Sequence, residues 1–328
     1  VIATSPQFFC GWAGVWASRL RRAPFILEIR DIWPESIGTV GAIRNRAILK
    51  TLEWLEKRMY LAADHIVTVG EGYRDRVLER ADVGEHTSVV TNGVDMAQFI
   101  PRAADPELLA QYGLAGKFVC SYVGTIGMAH GLEVVIDAAQ LLRSRGRDDI
   151  RFLFVGDGSQ RAALEQRAAA AGVTDMVVFA GRQSKNRMPA VLASSSVCLV
   201  HLRGCELFGT VIPSKIFETM AMQRPMIMGV RGEAREIVAS ANAGLDMEPD
   251  SAESLAGCVT RLADDPLLLS QLGTSARSYV EQFYNRDVLA ARMLAIAEQV
   301  GGPAGTPTPA TEMDLVPTRG GKLEIASK

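Results

Sequence analysis

The sequence predicts an α/β protein built from doubly wound parallel sheets in two domains. Three observations predict it. Short β-rich runs alternate with amphipathic helical stretches, glycine turns follow several of the strands, and the alternation starts afresh after a polar stretch holding Pro101 and Pro106. A length of 328 residues suits two domains of ordinary size.

The elements follow in order. Ile2-Ala3-Thr4-Ser5-Pro6 reads as the end of a buried strand meeting a turn. Strands are expected at residues 25–29, 66–69 and 88–90, with helices at 12–20, 44–61 and 73–80 between them. The turn signal Asn92-Gly93-Val94-Asp95 precedes a domain boundary placed at residues 105 and 106. The second series predicts strands at 118–123, 151–155, 177–179, 197–200 and 226–229, and helices at 132–142, 160–171, 189–193 and 214–222. Helical patterns at 252–263 and 275–300 close the folded part. Residues 301–328 hold too little apolar content to pack and are expected to be a disordered tail.

Composition excludes several classes. Lys and Arg number 35 against 37 Asp and Glu, a balance unlike that of a general nucleic-acid binder. Cys10, Cys120, Cys198, Cys205 and Cys258 form no CxxC pair, and the four histidines have no metal-ligand spacing. A reducing compartment and no metal are the expectation. No apolar run approaches the ~20 residues that cross a bilayer, and no signal segment opens the chain. The expected location is cytoplasmic.

The stretch from Pro213 to Ala221, PSKIFETMA, is the most informative. Proline and serine suit a helix start, whose amides can face a phosphate. Lys215 would add a point charge, and Glu218, one turn in, could accept hydrogen bonds from a sugar diol. Phosphate plus diol suggests a nucleotide, whereas a capped core helix with a surface Lys–Glu pair is the structural alternative. The rest of the chain bears on that choice. Gly124-Thr125-Ile126-Gly127, Gly156-Asp157-Gly158 and Gly181-Arg182 each follow a predicted strand, so all fall with Pro213 on the carboxyl rim of one sheet. Neither a dinucleotide fingerprint, a P-loop nor a nucleophile elbow is present.

Asn92-Gly93-Val94-Asp95, Gly156-Asp157-Gly158, residues 213–221 and Gly232-Glu233-Ala234-Arg235-Glu236 together resemble a retaining glycosyltransferase of family 4, over roughly residues 1–300. Arg30-Asp31-Ile32-Trp33-Pro34-Glu35-Ser36 adds similarity to bacterial enzymes of capsule, colanic acid or O-antigen assembly. The resemblance implies a GT-B architecture, two Rossmann-like domains with parallel sheets facing across a cleft. Residues 1–105 would be the acceptor side, 106–285 the sugar-nucleotide side, and 286–300 a last helix crossing back. It implies a nucleotide diphosphate sugar donor, most simply a UDP-sugar, a lipid-linked saccharide acceptor and no metal or cofactor. Glu218 matches the family's ribose-holding glutamate, Ser214 and Lys215 lie beside the diphosphate, and Gly181 and Arg182 flank the base. Gly124, Gly127 and Gly156 belong to the donor turns.

Departures from the family pattern are equally specific. Thr210 stands where many members carry a second glutamate, and Thr125 and His130 stand near the usual diphosphate-gripping arginine and lysine. A His-Asp step on the acceptor side reads Arg30-Asp31 here, the candidate catalytic pair beside Glu218. The family's opening glycine-rich loop would precede Val1, so the first domain is expected to be incomplete.

Arg19, Arg21, Arg22, Arg44, Arg46, Lys50, Lys57 and Arg58 crowd the first sixty residues with Trp12, Trp16 and Trp54. Two solvated amphipathic helices explain this, and so does a peripheral contact with an anionic bilayer, on the inner face of the cell membrane. The function expected is hexosyl or N-acetylhexosaminyl transfer in surface polysaccharide assembly. The alternatives are a sugar-nucleotide 2-epimerase and a non-catalytic nucleotide-binding remnant acting in a complex.

Overall fold

The computed structural model describes residues 1–5, 8–33, 45–204, 209 and 211–302. Contacts divide the chain into two units, Val1–Asn92 with the chain from Arg286, and Gly93–Asn285. The expectations for Pro34, Glu35, Ser36, Arg44, Cys205, Thr210 and the tail beyond residue 302 lie outside the described residues.

The first unit is a parallel sheet in the order β1-β2-β3-β4, formed by β1 (Ile2–Ser5), β2 (Ile26–Ile29), β3 (His65–Thr68) and β4 (Thr87–Val89). Among the described residues the helices that connect or follow these strands are α1 (Phe8–Arg21), α2 (Arg46–Tyr60) and α3 (Glu71–Arg80). Strand periodicity sends Leu27 and Ile66 to one face, where Phe8, Val15, Met59 and Val77 complete a core. Ile26 and Val67 point to the other face and meet Ile296 of the C-terminal helix, Arg286–Gly301. Both faces are thus covered, which is why these strands read as continuous apolar runs. Asn45 starts α2 by accepting from the amides of Ala47 (2.9 Å) and Ile48 (3.4 Å). Within the core, the fully buried Glu56 of α2 accepts from Tyr60 Oη at 2.6 Å and pairs with Arg80 Nε of α3 at 3.2 Å.

The second unit carries a six-stranded parallel sheet in the order β10-β9-β8-β5-β6-β7. Its strands are β5 (Phe118–Val123), β6 (Ile150–Val155), β7 (Val177–Gly181), β8 (Val197–His201), β9 (Met226–Gly229) and β10 (Gly244–Asp246). The helices are α4 (Pro106–Gln111), α5 (Glu133–Ser144), α6 (Arg161–Ala170), α7 (Met188–Ala193), α8 (Lys215–Ala221), α9 (Glu233–Ser240), α10 (Ala252–Asp264) and α11 (Pro266–Phe283). One core, around Tyr122, Phe152, Phe154 and Leu199, packs beneath α5, α6 and α10; a second, around Val200, Met228 and Phe217, packs beneath α8, α9 and α11. Burial of both faces explains the apolar strands here too.

Two expectations differ from the structure. Residues 93–105 cluster with the second unit, because Val94 N donates to Tyr284 O at 3.0 Å and Val94 and Phe99 are buried in that unit's core. The helix expected at 275–300 is two helices, α11 and Arg286–Gly301. The chain breaks where Tyr284 turns inward to stack on Phe217, centroids 4.4 Å apart, and Asn285 bridges Val94.

Candidate donor site

The rim of the second unit is assembled from its βα turns. Gly124 N donates to Val155 O (2.9 Å), Gly156 N to Gly181 O (3.0 Å) and Ile126 N to Asp157 O (2.9 Å), which laces the turns after β5, β6 and β7 into one backbone surface. The glycines are required there. A Cβ on Gly156 would lie 1.8 Å from Gly124 O, and one on Gly158 would lie 2.3 Å from Ile126 O. Both have φ values, 149° and 158°, that side chains disfavour. Small residues let the backbone of the turns come together with no side chain between them.

Lys215, the first residue of α8, reaches back across this surface. Its Nζ sits 4.0 Å above the Tyr122 ring centroid and 3.1 Å from where a Cβ on Gly124 would be. Burial pushes its ammonium down to about 8, against the opposing pull of Cys198 and Glu218. Glu218 lies one turn further along α8, half-buried. Tyr122 Oη donates to Thr125 O at 2.8 Å, which fixes the exposed Thr125 turn, and burial raises the phenol's pKa. Ser214 does not cap α8 through its side chain: it has helical φ and ψ of −58° and −25° and makes no side-chain cap bond. The serine-cap expectation is corrected on that point, since a capping side chain needs an extended backbone at its own residue.

His130 ends a short 3₁₀ turn, Met128–His130, that follows Gly127. Its ring meets Tyr122 edge-on at 5.9 Å, and its buried Nδ1 has no hydrogen-bond partner among the described residues. Burial, then the charge of Lys215, lowers its pKa. Beneath it lies His201, at the end of β8 and 1% exposed. The amide of Asp250 donates to His201 Nε2 at 3.0 Å, so the proton sits on Nδ1, which donates to His130 O at 2.7 Å. Burial keeps this imidazole neutral, and the two bonds fix the turn that carries His130. Asp250 adopts a positive φ of 58° and accepts from Gly204 N through Oδ2 at 2.9 Å.

At the far end of the rim Arg182 is exposed beside Gly181, whose φ is 68°. Arg161 Nη1 lies 3.2 Å from a Cβ on Gly181 and its Nε donates to Glu165 at 2.8 Å. Gly124, Thr125, Gly127, His130, Gly156, Gly181, Arg182, Ser214, Lys215 and Glu218 therefore gather on one rim of the second unit. Tyr122, His201, Asp250 and Arg161 join them without having been expected. Tyr122 and His201 are strand positions whose facing the apolar pattern leaves open, and Asp250 enters from a loop remote in sequence. Among the described residues no cluster of His, Cys, Asp and Glu could hold a metal ion.

Arg30 and Asp31 belong to the first unit, just beyond β2. Arg30 Nη2 donates to Asn92 Oδ1 at 2.6 Å and Nη1 meets Glu28 at 3.5 Å, while Ser5 Oγ donates to Asp31 O at 3.3 Å. Asn92, first residue of the turn motif, thus joins the carboxyl rim of the first sheet.

Comparison with known proteins follows this division. Residues 117–265 match the family described as glycosyl transferases group 1, and residues 1–98 match glycosyltransferase family 4. Alpha-D-kanosaminyltransferase of Streptomyces kanamyceticus is 26% identical over 76% of the chain, which spans 64% of that relative's length. A relative from Escherichia coli K12, named for colanic acid biosynthesis as WcaI, is 26% identical over 88% of the chain and 70% of its own. The crystal structure of Anabaena Alr3699/HepE in complex with UDP superposes with a TM-score of 0.76 at 17% identity, covering 91% of this chain and 78% of that one. Each unit thus carries its own match to a glycosyltransferase family model, and the two parallel-sheet α/β units have the GT-B fold of the solved neighbours.

Proposed function

We propose that this chain transfers a hexose or N-acetylhexosamine from a nucleotide diphosphate sugar, most simply a UDP-sugar, to a lipid-linked saccharide in surface polysaccharide biosynthesis, with retention and without a metal. The observation that carries this reading is Lys215, held against a notch of glycine backbone at Gly124 where no side chain intervenes. A diphosphate there would meet the ammonium at the glycine notch, and Glu218 would hold the ribose diol. Ser214 and His130 border the same place, and Gly181 with Arg182 would receive the base. The solved complexes of HepE with UDP and with UDP-glucose support the donor class.

In this reading the bond from the anomeric carbon to the diphosphate breaks while a bond to the acceptor oxygen forms on the same face. The leaving phosphate takes the acceptor's proton, and positioning with electrostatic stabilisation carries the rate. Arg30 and Asp31 would act on the acceptor side. Polysaccharide assembly is supported by the name of the WcaI relative. A lipid-linked acceptor is supported by the first unit's surface. Phe9, Trp16 and Leu20 form one exposed stripe of α1 at 77%, 66% and 84% exposure, and exposed Trp54 of α2 stands among Lys50, Lys57 and Arg58. Basic residues around exposed aromatics suit an anionic bilayer surface. Among the described residues no helix is long and apolar enough to cross a membrane.

Calorimetric titration of UDP, GDP and their sugar conjugates without metal tests the donor site. Glu218→Ala is expected to weaken UDP-sugar binding about tenfold or more, as loss of a charged hydrogen bond requires. Absence of binding to any of these nucleotides in the unsubstituted chain would refute the reading.

A further inference from the structure

The opposite end of the second unit's sheet holds a cavity that the proposed transfer does not use. It has a volume of about 490 Å³ and lies where β8 and β9 begin, away from the glycine rim at their carboxyl ends. Its polar lining is Arg102, Ser196, Gln223, Arg224 and Ser270, and Met222, Leu269 and prolines give it apolar walls. That lining contains two guanidinium groups and no carboxylate.

Most guanidinium groups elsewhere in this unit are paired with an acid; Arg151, Arg182, Arg187 and Arg261 are the others that meet none among the described residues. Nine of its arginines each meet a carboxylate within salt-bridge distance. Arg102 and Arg224 meet none among the described residues. Arg224 is half-buried; it donates one Nη to Ala193 O at 2.8 Å, and its buried Nε has no partner among the described residues. The acids next in sequence to these segments are committed elsewhere. Asp105 caps α4 by accepting from Glu107 N, and Asp265 caps α11 by accepting from Leu268 N. Ser196 Oγ accepts from Val119 N at 3.1 Å, which leaves its hydroxyl proton to donate. A half-buried cation without a counter-charge is costly, and the ordinary remedies are a paired acid or a bound anion.

We infer that this cavity binds a small phosphate-bearing anion, with the guanidinium of Arg224 as its inner donor and Arg102 as the charge at its mouth. The volume falls in the range of small-molecule sites, and the planar fork of arginine matches the oxygens of a phosphate. This inference is independent of the donor reading.

Titration calorimetry with inorganic phosphate, against sodium chloride at matched ionic strength, tests it on the whole chain and on Arg102→Ala, Arg224→Lys and Lys215→Ala. Saturable phosphate binding is expected in the unsubstituted chain and in Lys215→Ala, and weakening of about tenfold in each arginine variant, the effect of losing a charge-assisted contact. Arg102 is exposed, so its variant keeps the test decisive should Arg224→Lys fold poorly. Absence of saturable binding, binding in both arginine variants as tight as in the unsubstituted chain, or loss confined to Lys215→Ala would overturn the assignment. The last result would place the phosphate on the glycine rim instead.

Discussion

Replacing Gly156 by alanine tests whether the glycine rim is built as described. The new Cβ would sit 1.8 Å from Gly124 O, whereas a carbon and a carbonyl oxygen rest at about 3.3 Å, so one turn must retreat by roughly 1.5 Å. That retreat strains the bonds from Gly124 N to Val155 O and from Gly156 N to Gly181 O. The φ of 149° adds strain of its own. Backbone strain of about 1–3 kcal/mol and overpacking of about 1–3 kcal/mol combine to roughly 4 kcal/mol. For a unit of this size that lowers Tm by about 8–16 °C. Gly172→Ala is the matched control: its φ is 68° but a Cβ there meets nothing within 4 Å, so only about 1–2 kcal/mol is at stake. Scanning calorimetry and urea melts on both variants make the comparison. A Gly156→Ala variant that melts within about 1 kcal/mol of Gly172→Ala would refute the packing argument.

Three further outcomes are expected. Lys215→Met should raise the thermal stability of the second unit while weakening UDP binding, because it removes a buried charge that burial holds near a pKa of about 8. The same group sets pH trends: unfolded Lys215 binds more protons than folded between about 8 and 10.5, so its contribution to stability improves as pH rises through that window and vanishes in the methionine variant. UDP affinity, read by calorimetry, should instead fall about tenfold from pH 7 to pH 9 as the ammonium is lost, with a flat profile in Lys215→Met counting for the reading and an unchanged slope against it. Glu56→Ala should cost about 3–5 kcal/mol in urea unfolding by removing the buried acid that Tyr60 and Arg80 bond, and Glu56→Gln less because it still accepts from Tyr60. Gly257→Ala, at an exposed position inside α10 where a Cβ meets nothing within 4 Å, should stabilise by about 0.5–1 kcal/mol in the same melts.

The strands were legible because both faces of each sheet are covered: Phe118–Val123 and Met226–Gly229 stand where their apolar runs placed them. Elements with weak periodicity were not. β10 is three residues long and α4 six, too short for a pattern to emerge from polar surroundings. The break at Tyr284 and Asn285 carries no glycine or proline; it arises from stacking against Phe217, a contact that only the folded unit creates. The glycine turns were visible as turns, yet their mutual lacing was not, since the partners are separated by about thirty residues. Lys215 was visible at a helix start. Its seat over Tyr122 was not, because a lysine's four-carbon stem lets the ammonium land several ångströms from its backbone.

Positive charge that lacks an internal acid marks both ends of the second unit's sheet. Nine of the unit's arginines are matched to an acid, as Arg203 is to Glu133 beneath the His130 turn and Arg235 to Asp246 of β10. On the proposed reading Thr125 and His130 stand where the resemblance leads one to expect arginine and lysine, and burial, then Lys215, lowers the pKa of His130. On the proposed reading the charge that a diphosphate needs has therefore moved to α8. Lys215 keeps it over an aromatic face, which tempers burial without neutralising the ammonium as a paired carboxylate would. The unmatched arginines at the sheet's other end obey the same logic, since a cation left without an internal acid is one that an external anion can complete. Acids introduced at either end would separate these cases from simple surface charge: Ser270→Asp should stabilise by pairing with Arg224 and abolish phosphate binding, whereas Thr125→Asp should leave that binding intact and remove affinity for UDP. Identical effects of the two substitutions on both ligands would show that the two ends are not separate anion sites.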